Sequence, residues 1–211
     1  MSAVSSGRKL TKGEATRRAI LIAAEQRFAE FGYDAARLEM IAEDVGIRQA
    51  GIFYYFPSKL ELFQELTGRI HTDLLAFTQS RLSGATDPWE RLMLLTEAWL
   101  DFMVARPSAA RIILRSCANA SSNDLYPETY SSDVLSLLRG IIREGISSGR
   151  FTNVDSMYLV NLLSGSILHY VCNAEQLADE HAYRPEDPVE VGTFKSILRK
   201  TARAVLEIEG R

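Results

Sequence analysis

The sequence predicts an all-α protein of about nine helices. Two observations carry the prediction. Apolar residues recur at three- and four-residue intervals along most of the 211 positions, the period of one helix face, with no alternating strand pattern and no internal repeat. Short Gly/Pro/Asn/Asp breaks and helix-start signals divide these periodic segments at regular distances. Hydrophobic residues make up 46% and charged residues 24% of the chain, enough apolar material for a real core.

The elements follow in order. Thr11-x-x-Glu14 is a capping box, in which side chains satisfy the free N–H groups of a helix start. In the helix behind it Ile20, Ala24, Phe28 and Phe31 share one face, and Gly32 is expected to end it. Short helices are expected over 37–45, ending at Gly46, and over 48–55, ending before Pro57. Ser58-x-x-Glu61 is a second capping box, for a helix over 59–83. Asp87-Pro88 places a capping Asp before a first-turn Pro, for a helix to 105. Pro107 opens the next, to 118, and helices are expected over 127–148, 155–179 and 189–208.

Charge divides the chain. Residues 1–60 hold nine Lys+Arg against seven Asp+Glu, a net +2, and the remainder fifteen against twenty, a net −5. A mildly basic front on an acidic body is expected where only the front meets phosphates. No apolar run approaches the ~20 residues that span a bilayer. Residues 1–14 hold no apolar stretch of the signal-peptide kind. Two cysteines, Cys117 and Cys172, make no disulfide framework. The expected setting is the cytoplasm, away from membranes.

The stretch GIRQAGIFYYFPSK, residues 46–59, puts four rings in a row, and on a helix these point all the way round. The small Ala42 lets a second helix cross closely, and Gly46 can take the left-handed conformation of a sharp turn. Ile47, Ile52 and Phe56 suit the buried side of the following helix. This is helix-turn-helix spacing over residues 37–56, in which the second helix enters the DNA major groove and its first residues meet base edges. Arg48, Gln49 and Gly51 lie at that start. Tyr54 and Tyr55 point outward with hydroxyls for phosphate oxygens. Lys59 adds a cation at the next helix start, where free N–H groups also favour an anion.

At these residues the sequence resembles the TetR family of transcriptional regulators. The resemblance runs over about residues 14–65 on Thr16-Arg17-Arg18, Ile20-Leu21, Ala23-Ala24, Phe28, Gly32-Tyr33, Ile41-Ala42, Gly46-Ile47, Phe53 to Phe56 and Lys59. It implies a flexible basic arm at 1–12, a DNA-binding domain at 13–73 and a C-terminal ligand-binding and dimerisation bundle at 74–211. It also implies a double-stranded DNA operator of palindromic form, a homodimer and a small-molecule inducer. The chain departs from the family pattern in places. Ala36 and Arg37 stand where many members have Thr or Ser at the second helix start, so Asp34 is expected to cap that helix and Arg37 to grip phosphate by charge. Arg48 replaces a frequent Ser, Ala50-Gly51 a Gly-Thr or Gly-Ser pair, and Phe53 the usual first Tyr.

Within the bundle, Ser164, Gly165 and Ser166 put small residues in mid-helix, where Gly costs about 1 kcal/mol relative to Ala, and a close helix–helix contact would explain that cost. Val191, Phe194, Leu198, Ala202 and Leu206 form an apolar stripe on the last helix. Either both stripes pair across a two-fold axis as a four-helix dimer interface, or they face their own core. Trp99, Phe102, Met103, Ile113, Leu138, Tyr158 and Leu162 are candidates for a ligand pocket, with Cys117 and His169 as polar members, or are plain core.

Other functions fit the same residues less well. His169 and Cys172 stand at i, i+3, but no orienting partner or oxyanion motif accompanies them. As half a zinc site they lack further ligands, with His181 near in sequence alone. No phosphate-binding glycine loop is present, so neither catalysis nor a cofactor or metal is expected. A DNA-binding protein of the same fold with a chromosome-organising role stays open beside a transcriptional one.

Overall fold

The structure is a computed structural model that describes residues 11–118, 132–174, 176 and 183–206. Among these residues it is all helix: α1 Lys12–Ala35, α2 Leu38–Val45, α3 Gln49–Tyr55, α4 Lys59–Leu82, α5 Pro88–Ala105, α6 Pro107–Ala118, α7 Ser132–Ser147, α8 Ser156–Cys172 and α9 Pro188–Leu206. The chain divides into two compact units, Met1–Leu66 and Thr67–Arg211. α4 belongs to both.

The start signals act as their chemistry requires. The Thr11 hydroxyl accepts from the Glu14 N–H at 3.2 Å, and the Glu14 carboxylate accepts from the Thr11 N–H at 2.8 Å. Ser58 Oγ accepts from the Glu61 N–H at 3.1 Å, and an Asp87 carboxylate oxygen from the Glu90 N–H at 3.0 Å. Three expectations are corrected. Gly32 (φ 77°) kinks α1 instead of ending it, and the helix resumes to Ala35 with Ala36 N–H bonded to the Gly32 carbonyl. α8 stops at Cys172, because Asn173 leaves helical geometry (φ −111°, ψ 10°). Phe31 is 37% exposed, unlike Ile20, Ala24 and Phe28, because it lies a turn past the stripe where the Gly32 kink turns the chain. The expected helix starts and ends at 127–131, 177–179 and 207–208 lie outside the described residues.

In the first unit Phe28, Phe56, Phe63, Ile20, Ile41 and Ile52 are almost wholly buried. Burial of each such side chain contributes about 1.5–3 kcal/mol. Phe63 meets Phe28 and Tyr33 edge-on at 4.9 and 5.0 Å between ring centres. Arg17 pairs with Glu65 and lies 4.7 Å over the Phe56 ring, fixing the end of α3 between α1 and α4. Arg27 grips Asp44 at 2.6 and 2.7 Å, tying α1 to α2.

The second unit is built round α5, which buries ten residues from Trp89 to Met103. A helix apolar nearly all round belongs in the middle of a bundle, and α6, α7, α8 and α9 all pack on it. Gly145 on α7 lies against the Phe151 ring so closely that any Cβ would collide with it. α9 is held by Arg199–Glu97 and Lys195–Asp101 pairs, each at 2.6 Å, and by Thr152 N–H on the Leu206 carbonyl at 2.9 Å.

Candidate nucleic-acid interface

The turn between α2 and α3 is Gly46–Ile47–Arg48. Gly46 is left-handed (φ 72°, ψ 33°), and the Ile47 N–H returns to the Ala42 carbonyl at 3.0 Å. A side chain at Gly46 would have open space but a strained backbone. α3 then divides by phase. Ile52 and Phe56 are buried, whereas Ala50, Phe53 and Tyr54, at i, i+3 and i+4, face out. Tyr54 is 84% exposed and Phe53 46%. Tyr55 is half-buried, edge-on to Tyr54 at 5.0 Å.

Arg37 and Arg48 are exposed at the starts of α2 and α3, and neither helix has a side-chain cap. The expected Asp34 cap is therefore absent: Arg37 itself is the N-cap, in extended geometry, and Asp34 lies three residues too far back. Arg17 and Arg27 are neutralised by Glu65 and Asp44, whereas Arg37 and Arg48 have no partner among the described residues. Gln49 and Gly51 are half-buried. A Cβ at Gly51 would meet the Ile47 side chain at 3.6 Å, ordinary contact, so packing within the chain does not require glycine there.

Lys59 is half-buried. Its Nζ donates to the Asp34 carbonyl at 3.1 Å and lies 4.7 Å over the Tyr33 ring. Burial pushes its pKa down, opposed by Asp34. An ammonium has three N–H donors, so the bond to Asp34 leaves others for an anion.

In the second unit the nine pocket candidates do not converge. Trp99, Phe102, Met103 and Leu138 are buried and Ile113 is half-buried. Cys117 is exposed on α6, and Tyr158 (74%), Leu162 (39%) and His169 are exposed on α8. The correction has a helical cause. Leu159, Leu163, Ile167 and Tyr170 take the inner face of α8, so Tyr158, Leu162, Gly165 and His169, one position out of phase, take the outer one. The interface candidates split likewise. Leu198, Ala202 and Leu206 are buried in the unit's own core, and Val189, Thr193 and Ile197 form the outer face of α9. Ser164 and Ser166 are half-buried and bond back to the Val160 and Leu162 carbonyls.

Gly165, Ser166, His169, Tyr170, Thr193, Phe194 and Ile197 line an open groove of about 790 Å³ between α8 and α9, which periodicity does not reveal. In its wall Tyr170 is stacked between Phe194 (4.1 Å) and Tyr183 (4.9 Å). The Tyr170 hydroxyl is buried without a hydrogen-bond partner among the described residues, and burial together with Glu190 pushes its pKa up to about 12. Burial also raises the Cys172 thiol, the opposite of what a nucleophile needs. His181 lies outside the described residues, and among those described no three His, Cys, Asp or Glu side chains gather as metal ligands. No helix among them is long and apolar enough to cross a membrane.

Known proteins share these features. Residues 20–66, spanning most of α1, all of α2 and α3 and the start of α4, match the family "Bacterial regulatory proteins, tetR family". The chain is 28% identical over 210 residues to the HTH-type transcriptional regulator RutR of Escherichia coli, covering 96% of this chain and 94% of that one. It is 22% identical over 170 residues to the nucleoid occlusion factor SlmA of Haemophilus influenzae, covering 77% and 78%. The crystal structure of the transcriptional regulator FadR from Bacillus subtilis in complex with stearoyl-CoA superposes with a TM-score of 0.70 at 18% identity, covering 89% of this chain and 97% of that one. Residues 20–66 therefore carry the helix-turn-helix domain of the bacterial tetR regulators, and the chain is similar over nearly its whole length to an HTH-type transcriptional regulator.

Proposed function

We propose that the protein is a homodimeric repressor that binds a palindromic operator and is released from it by a small, mostly apolar ligand. The carrying observation is the outward surface of α3 and its approach: Arg48 exposed and without a partner among the described residues, Phe53 and Tyr54 facing out, and a helix glycine at 51 that internal packing does not need. In this reading Arg48 and Gln49 meet base edges. Gly51 and Phe53 allow close approach to the groove. Arg37, Tyr54, Tyr55 and a remaining Lys59 donor hold phosphates. A dimer presents two such helices to half-sites one helical turn or more apart.

The second copy covers the outer faces of α8 and α9. Tyr158, Leu162, Val189 and Ile197 are large apolar or aromatic groups left exposed there. A Cβ added at Gly165 would meet nothing of its own chain within 4 Å, as suits a helix crossing from outside. The ligand belongs to the second unit, and α4, shared by both units, is the element whose shift would link its binding to DNA affinity.

Selection of bound sequences from random DNA tests the proposal. A dyad-symmetric consensus is the expected result; asymmetric selected sites, or a monomer by sedimentation at micromolar concentration, would sink it. The similarity to a nucleoid occlusion factor favours a second reading, chromosome organisation on the same scaffold. Mapping occupancy across the genome separates the two, as many dispersed sites support the second and a few promoters the first.

A further inference from the structure

Besides the Tyr170 hydroxyl, two hydrogen-bond donors are buried inside the second unit with no partner among the described residues. Thr78 on α4 is 0% exposed and its Oγ has no partner; Trp99 on α5 is 8% exposed and its Nε1 has none. Helical threonines elsewhere in the unit bond back one turn, Thr72 to the Gly68 carbonyl at 2.9 Å and Thr96 to the Leu92 carbonyl at 2.8 Å. Thr78 does not. A buried donor left unsatisfied costs about 1–3 kcal/mol, so each of the two calls for an acceptor.

They lie at nearly the same height on neighbouring helices. α4 and α5 run antiparallel, as Asp73–Arg106 (2.9 Å), Phe77–Phe102 (6.0 Å between rings) and Arg81–Asp101 (3.8 Å) establish in sequence. With Phe77 level with Phe102, Thr78 and Trp99 differ in height by two residues, about 3 Å along the shared axis. The rings of Phe77, Trp99 and Phe102 and the buried Leu74 and Met103 supply apolar surroundings.

The charge of an occupant follows from what is missing. No Lys or Arg is buried among the described residues. The flanking cations of the helix pair, Arg81 and Arg106, lie over the Phe77 and Phe102 rings at 5.0 and 5.9 Å and are paired with Asp101 and Asp73. A carboxylate at this level would have to draw one of these cations off its own carboxylate, whereas a neutral carbonyl needs donors alone.

We propose that the bundle binds an uncharged apolar ligand of the ketone, ester or lactone class, whose oxygen accepts from Thr78 Oγ and Trp99 Nε1 between α4 and α5. This rests on the reading that a small molecule releases the DNA, and it names the class and its two anchors. His71, two turns before Thr78 on the same face of α4, is kept toward its neutral form by burial, consistent with an uncharged site.

The test uses the full chain and three matched probes: acetylnaphthalene, ethylnaphthalene and naphthoate. Calorimetry reads binding and fluorescence anisotropy reads release of operator DNA. The ketone is expected to bind about tenfold more tightly than the hydrocarbon, the value of one or two hydrogen bonds, and more tightly than the acid. Thr78→Val should lose about tenfold for the ketone and nothing for the hydrocarbon, Thr78→Ser should restore it, and Trp99→Phe should narrow the same preference. Ligand-free Thr78→Val should melt at or above the wild-type temperature, since it loses no bond. A ketone that binds no better than its hydrocarbon, or not at all, overturns the proposal. So does a clear loss of stability in ligand-free Thr78→Val, which would mean that a buried water already serves the hydroxyl. Ketone binding that needs Thr78 but leaves DNA bound would sink the release reading and keep this site. Release by the ketone undiminished in Thr78→Val would do the reverse.

Discussion

Lys59 Nζ donates to the main-chain carbonyl of Asp34 at 3.1 Å while lying 4.7 Å above the ring of Tyr33. One side chain at the start of α4 therefore closes the C-terminal end of α1, past the Gly32 kink, and sets how α2 leaves it. Replacing Lys59 by Met should remove about 1 kcal/mol, a modest figure because the group is half exposed. The melting temperature should fall by a few degrees, and specific and random DNA should weaken alike. An unchanged melting curve for Lys59→Met, with DNA affinity still reduced, would assign Lys59 to phosphate alone.

Arg48 and Arg37 are both exposed, but they stand at the starts of different helices. If Arg48 grips a guanine edge, Arg48→Ala should cost about 1–3 kcal/mol of discrimination between operator and random DNA. Arg37→Ala should weaken both DNAs nearly equally and reduce the salt slope by about one. Titrations at several salt concentrations check both. Equal losses on both DNAs for Arg48→Ala would refute base reading.

The two glycines of the motif make opposite predictions. Gly46→Ala forces a methyl into left-handed backbone (φ 72°) and should destabilise the protein by about 1 kcal/mol. Gly51→Ala meets an ordinary 3.6 Å contact inside a helix, so stability should hold or rise by up to ~1 kcal/mol. DNA affinity should nevertheless fall, because the methyl occupies the space between α3 and the groove. Thermal melts beside binding curves decide it; full affinity in Gly51→Ala would show that nothing approaches that position closely.

Neighbouring positions on α9 should likewise part. Ile197 is 51% exposed and Leu198 4%. Ile197→Glu should leave a folded helical protein that sediments as a monomer. Leu198→Ala should keep the dimer in whatever fraction folds but cost about 2–5 kcal/mol of stability. A stable dimer in Ile197→Glu would place the interface elsewhere.

Local chemistry by itself determined the helices and the hinge of the motif. Thr11 with Glu14, Ser58 with Glu61 and Asp87 before Pro88 act within one turn of chain, so no distant residue is needed to read them. Gly46 with Ile52 and Phe56 is equally local, because a left-handed turn and a four-residue repeat set which side of α3 is inward. The fate of whole faces was settled by tertiary structure. α8 carries apolar groups both at Leu159, Leu163 and Ile167 and at Tyr158 and Leu162, and α9 both at Leu198 and Ala202 and at Val189 and Ile197. Periodicity detects each stripe and is silent on which one α5 covers. Asp34 had the chemistry of a cap and Lys59 that of a free cation, yet the kink at Gly32 sends the Asp34 carbonyl to Lys59 and leaves α2 beginning at Arg37. Thr78 and Trp99, 21 positions apart in the sequence, come to nearly one level because two helices run antiparallel. A hydrogen bond's absence, like a helix's buried face, depends on what lies across from it, and that is a property of the packed chain.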